Sequence, residues 1–299
     1  MALGAISLPP AVTGLSIRRR AFAWLGWALC GLAFVLLSAA MFWILTIVFL
    51  HGAKALNLDV VTHITEGTGG GLLNAIEGTL LLSFGGILLA APPGLATGIF
   101  LAEYETSKLA GPIRFLVDVL VGVPSIVVGY FAYVTMVADL GWQFSLAAGC
   151  IALAIIALPY ICRTSEMAIR QVPRSMREAA YALGSTDSRV ALSICVPIAL
   201  PGVLTGILLA LAIAVGETAP LLYTAGWSNY LWTGHFTKEP VGYLTYAIYA
   251  FITEPFESAH ALAYAAAFFV TLFVLIIGVI SRLVLDEHAG WRSRKLRKP

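Results

Sequence analysis

Long runs without a single Asp, Glu, Lys or Arg dominate this chain, at positions 21–50, 78–102, 119–138, 140–162 and 190–216. A sixth such run, 258–281, carries His260. At about 1.5 Å per residue each is long enough to cross roughly 30 Å of hydrocarbon as a helix. Membrane barrel strands would instead alternate apolar and polar positions over about ten residues, which these runs do not. The pattern predicts an all-α integral membrane protein with six transmembrane helices.

The polar positions between the runs give the orientation. Arg18, Arg19 and Arg20 precede the first run, and Lys108 and Arg114 lie between the second and third. Arg163, Arg170, Arg174, Arg177 and Arg189 lie between the fourth and fifth, and Arg282, Arg292, Arg294, Lys295, Arg297 and Lys298 end the chain. Only Lys54 and Lys238 of the 18 basic residues fall on the other side. By the positive-inside rule both termini are cytoplasmic. The first run is about twice the length of a signal-peptide core, so it reads as a retained anchor.

Composition agrees: 60% of residues are hydrophobic and 11% charged, against roughly 25% charged in soluble domains. The net charge of +2 points to no particular partner, and no nucleic-acid partner is expected. Cys30, Cys150, Cys162 and Cys195 lie in apolar stretches without CxxC spacing and read as reduced structural thiols. The histidines His51, His63, His235, His260 and His288 have no ligand spacing, so no metal site is expected. There is no GxxxxGK[ST] or GxSxG, and no acid placed beside a nucleophile, so the chain reads as non-catalytic and without a cofactor.

Several positions break the apolar pattern. Pro92 and Pro93 interrupt the second run, among Ala90, Ala91, Gly94, Ala96 and Gly98, which suit close helix packing inside a bundle. Gly122, Pro124 and Gly129 make the third helix breakable. Arg114 and Asp118, four apart, are predicted to pair, Glu77 to sit at an outer helix end that favours an acid, and Arg163 to anchor at the interface. The aromatic stretch 218–257 is exterior, and its uncharged part, 240–253, is too short to span and reads as interfacial or re-entrant.

Two clusters carry the candidate chemistry. Positions 175–184 read as a short cytoplasmic helix, with Ser175 as N-cap, Glu178 completing a capping box and Gly184 as the stop. Ala179, Ala180 and Ala182 leave it narrow enough to enter a cleft on another protein. Glu217 follows the fifth run. If it lies within a membrane helix it costs about 2.5–3.5 kcal/mol and should line a cavity or meet a cation. If the helix ends near Gly216, it lies among exterior headgroups.

The order Glu178-Ala179-Ala180, Gly184, then Ile194-x-Val196-Pro197 resembles the EAA loop of ABC-importer permeases, with Val196 in place of Leu. Leu101-Ala102-Glu103-Tyr104, Gly122-Val123-Pro124-Ser125-Ile126-Val127, Leu158-Pro159 with Arg163, Thr164 and Glu166, Val172-Pro173-Arg174, Gly216-Glu217-Thr218-Ala219-Pro220-Leu221 and His260-Ala261-Leu262-Ala263 are similar to phosphate-specific ABC permeases, in particular their A-type subunit (PstA). The resemblance implies a type I ABC importer permease fold in a bacterial inner membrane. It implies a cytoplasmic N-terminal segment 1–20, a transmembrane domain 21–285 with its core at about 72–282 and coupling loop at 163–194, and a basic tail 286–299.

The resemblance also implies roles and partners. Ser175, Arg177, Glu178, Ala179, Ala180 and Gly184 would couple to an ATPase, and Pro124, Ser125, Glu217 and Thr218 would line or gate the path. The partners would be a homologous C-type permease, two cytoplasmic ATPase subunits holding ATP and magnesium, an exterior phosphate-binding protein and the lipid bilayer. Ile213 stands one turn before Glu217, where phosphate permeases often carry Arg. A partner would then supply that cation, or hydroxyls and helix N-termini would contact the oxyanion. Importers of molybdate or sulfate, and a secondary transporter without an ATPase, remain the alternatives.

Overall fold

The computed structural model describes residues 17–295, so most of the expected segment 1–20 and the end of the basic tail 286–299 lie outside the described residues. The chain divides after Leu50 into two compact units. The described part of the first is one continuous apolar helix, the start of α1 (Ile17–Ala55).

The regular elements of the second unit are helices, apart from one hairpin of two two-residue strands. After α2 (Leu58–Thr62), β1 (Thr65–Glu66) pairs antiparallel with β2 (Gly69–Gly70). Then come α3 (Leu73–Glu103), α4 (Ala110–Gly122), α5 (Ser125–Ala132) continuing as a π-helical stretch to Asp139, and α6 (Leu146–Arg170). A short α7 (Arg174–Ala182) precedes α8 (Asp187–Val190), which runs through a π-helical turn into α9 (Val196–Gly216). α10 (Ala219–Thr224), α11 (Leu244–Phe251) and α12 (Glu257–Lys295) complete the order.

Among the described residues, five helical stretches are long and apolar enough to cross a membrane: α1, α3, α6, α8–α9 and α12. The third expected span differs from a single rod. α4 and α5 form a sixth path that bends by 98° at Val123–Pro124. Pro124 has no N–H to donate and its ring would meet the Leu120 carbonyl in a continuous helix, while Val123 is pushed to extended backbone (ψ 125°).

α3 and α6 form the centre of the second unit. Leu82, Ile87 and Ala90 pack with Leu153, Ala157 and Ile161, and Gly94 and Gly98 let α6 approach at Ile161 and Ser165. Pro92 and Pro93 face outward, with Leu88 and Leu89 exposed beside them. The second helix is thus interior along one face only, because the face that packs carries the small residues and the prolines lie opposite. The segment read as interfacial or re-entrant holds α11, packed on α3 and α12 with Tyr243 and Leu244 buried and the Leu244 N–H donated to Thr79 Oγ1 at 2.8 Å.

At the exterior end of α3, buried Asn74 accepts from Thr65 N–H and hydroxyl at 3.1 and 3.0 Å and donates to the Ser228 carbonyl at 2.8 Å. Glu77 accepts from the Trp232 N–H at 3.1 Å, so it holds the aromatic segment as well as suiting the helix end. Just above, a side chain at Gly78 would run into the Gly242 carbonyl, which is backbone and cannot rotate away. Gly78→Val is expected to destabilise the purified permease by about 1–3 kcal/mol or more. Gly278→Ala, in open space on α12, should leave the thermal midpoint unchanged or slightly raised.

Candidate functional site

The cytoplasmic cluster is built on α7. Its start is Pro173 in extended backbone (ψ 136°), without a side-chain cap, so Ser175 lies inside the helix and the expected capping box does not form. Pro173 takes the boundary because it has no N–H to leave orphaned and its fixed φ suits a helix start. The C-terminal stop forms as expected. Gly184 has φ +78°, its N–H bonds to Tyr181 O at 2.9 Å, and Ser185 N–H reaches Ala180 O at 3.1 Å. That pair of bonds is a Schellman motif.

α7 presents most of its surface outward. Ser175, Glu178, Ala179, Ala182 and Gly184 are exposed, together with Met176, Tyr181 and Leu183, the last 87% exposed. Ala180 turns inward against Ile169, Val172, Val190 and Cys195. Arg177 turns inward too. Its Nη1 lies 2.7 Å from Oε1 and 2.8 Å from Oε2 of Glu103, the hydrogen bond going to Oε2, and Nη2 donates to the Ile169 carbonyl at 2.8 Å.

Beside it is an ion network that the sequence did not reveal. The Glu166 side chain, 6% exposed, meets Arg114 at 2.8 Å, Arg170 at 3.2 Å and Arg163 at 3.3 Å. Arg163 also pairs with Asp118, and Arg170 with Glu105 at 3.4 Å. The expected Arg114–Asp118 pair is therefore replaced by two pairs across helices. Glu166 offers Arg114 a buried partner of low dielectric, which an exposed neighbour on the same helix cannot match. Arg163 likewise joins two helices rather than anchoring alone at the interface.

The second cluster lies where two helices break face to face. α9 ends at Gly216, because a continuing helix would drive the Pro220 ring into the Gly216 carbonyl. Glu217 is left in extended backbone (ψ 137°), outside any helix, and its carbonyl accepts from Thr245 Oγ1 at 2.8 Å. The helix therefore ends at Gly216, as the second of the two alternatives required, and the Glu217 side chain is half-buried. It lines a cavity of about 200 Å³ with Ser125, Tyr160 and apolar residues of α4, α5 and α6. The Ser125 hydroxyl and the Thr218 N–H are turned to the carboxylate. Ser125 is the first residue of α5, whose N-terminal N–H groups favour an anion nearby.

The four predicted path residues thus come together at one place. Pro124 and Pro220 create the two breaks, and Ser125 and Thr218 flank Glu217. No basic side chain lines this cavity among the described residues. No cluster of metal-ligating side chains occurs among them either.

Comparison with known proteins agrees with this architecture. Residues 94–286 match the family model described as a binding-protein-dependent transport system inner membrane component. The chain is 42% identical to the phosphate transport system permease protein PstA 2 of Mycobacterium bovis, over 97% of this chain and 94% of that protein. It is 41% identical to the phosphate transport system permease protein PstA of Yersinia pestis, over 86% and 90%. Among solved structures, an inward-facing conformation of the MetNI methionine ABC transporter aligns with TM-score 0.58 and 22% identity, over 71% of this chain and 95% of that one. That last likeness concerns the fold alone.

Proposed function

From the premise that this chain belongs to the binding-protein-dependent transport system inner membrane components, and among them to the PstA phosphate permeases, we propose that it forms half of the path of an ATP-driven importer of inorganic phosphate in a bacterial inner membrane. A homologous permease forms the other half. Two cytoplasmic ATPase subunits, which hold ATP and magnesium, act on α7 of this chain and on the corresponding helix of the homologous permease, and an exterior binding protein delivers phosphate to the aromatic end of the unit. The chain itself takes no part in the chemistry of hydrolysis.

The observation that carries the coupling role is the shape of α7. It is a short helix stopped sharply at Gly184, exposing Ser175, Glu178, Ala179 and Leu183 on one surface while Arg177 and Ala180 hold it to the membrane helices. A helix with so little buried surface is well suited to an interface and poorly suited to a core. Glu217 supports a gating role. It sits where the two broken helices meet, and a break concentrates rearrangement at a few residues. Repulsion between anions argues against direct contact of Glu217 with phosphate; the α5 N-terminus and a cation from the second permease are the groups suited to the oxyanion.

The test is uptake of labelled phosphate in a strain lacking this permease and any redundant system, with sulfate and molybdate as competitors. Restored phosphate uptake that neither competitor reduces is the expected result. Competition by molybdate or sulfate would reassign the cargo. Glu178→Arg is expected to abolish most uptake and weaken co-purification of the ATPase. Uptake that persists in this variant with no ATPase bound would return the reading of a secondary transporter.

A further inference from the structure

Arg177 belongs to the surface helix by sequence, yet its guanidinium points away from that surface. Its side chain is 19% exposed and that of Glu103 is 9% exposed. Glu103 is the last residue of α3, and the Ile169 carbonyl that takes the other Arg177 nitrogen belongs to the last turn of α6. Beyond its chain links and the apolar seat of Ala180, α7 is tied to α3 and α6 by this guanidinium.

The end of α3 is itself tied to its neighbours. The Leu101 carbonyl accepts from Arg170 at 3.3 Å and lies 3.5 Å from Arg114 Nη2, and both of these arginines hold Glu166. Arg163 continues from Glu166 to Asp118 on α4. Leu120 and Val121, just beyond Asp118, and Tyr160, one turn before Arg163, line the Glu217 cavity. α3 in turn runs for 31 residues, about 45 Å, to Asn74 and Glu77, which hold the exterior aromatic segment.

We infer that the Arg177–Glu103 pair is the joint that makes the cytoplasmic end of α3 move with α7, so that Arg177 and Glu103 are positioning residues for coupling rather than part of the docking surface. The inference rests on the importer reading above and names which residues carry the motion inward. A buried pair suits such a joint. Separating the charges leaves each one desolvated and unpaired, so α7 and α3 resist being pulled apart. An exposed pair, screened and exchanging with water, would not.

The experiment uses the complete importer, with partner permease, ATPase and binding protein, in proteoliposomes, measuring phosphate taken up and ATP hydrolysed in the same vesicles. E103R and R177E alone are expected to lower phosphate moved per ATP by about fivefold or more, the scale of a typical coupling between sites, while the ATPase stays bound. The exchanged double variant E103R/R177E should recover at least half of the wild-type ratio. Singles that change only the amount of assembled complex, with an unaltered ratio, would overturn the joint. So would a double variant no better than the worse single. A wild-type complex that hydrolyses ATP without accumulating phosphate would overturn the importer reading instead, before any variant is compared.

Discussion

Glu166→Gln is expected to destabilise the permease by about 1–3 kcal/mol, because the carboxylate is buried while its three arginine partners, each about a third exposed, keep part of their hydration. Glutamine keeps the size of the side chain and one acceptor oxygen but removes the charge that faces Arg114, Arg163 and Arg170 together. Three guanidiniums, each about a third exposed, would then face one another with only Asp118 and Glu105 near, both more than half exposed. Thermal unfolding of the purified protein in lipid nanodiscs measures this. Asp118→Asn is the internal control: its carboxylate is 56% exposed, so its loss should cost less than about 1 kcal/mol. A Glu166→Gln midpoint no lower than that of Asp118→Asn would show that the arginines are held by packing of their stems and not by the carboxylate.

The contrast between Glu166 and Glu217 shows what could be read from the chain and what could not. The spans, the exterior position of the aromatic segment and the stop at Gly184 follow from local rules. An apolar run must bury its backbone polar groups in a helix, and a left-handed residue after a helix favours glycine. Pro124 announced its break in the same local language, although a 98° bend is more than an uncharged run can disclose.

Pairings over long separations were not legible. Arg114 had an obvious partner four residues away in Asp118, and its actual partner, Glu166, lies 52 residues on. Choosing between them requires knowing which carboxylate is dry, which is a property of the packed fold. The inward turn of Arg177 lay between these extremes. It shares a helix face with Ala180, three residues on, and both are turned from solvent. Ser175 was misassigned for a simpler reason: a proline two residues earlier can begin the helix without any side-chain cap.

Glu217→Gln is expected to lower phosphate uptake by about tenfold or more while leaving the amount and thermal stability of the complex within the range of the wild type. The position tolerates the change structurally because the Glu217 carbonyl, not its side chain, holds Thr245. Ser125 and Thr218, which lie beside the side chain, can also donate to an amide oxygen. What is lost is a negative charge in a small cavity lined mainly by apolar side chains, where it attracts a cation far more strongly than it would in water. Ser125→Ala should lower uptake by less than Glu217→Gln does, since it removes one donor beside the carboxylate and leaves the charge in place. If Ser125 acts by orienting Glu217, the double variant should be no worse than Glu217→Gln alone, because residues in one hydrogen-bonded unit are not additive. Losses that simply add would place Ser125 in a separate role, as a contact for the oxyanion at the α5 N-terminus. Full uptake in Glu217→Gln would remove the carboxylate from the mechanism and leave the facing breaks at Pro124 and Pro220 as the moving parts.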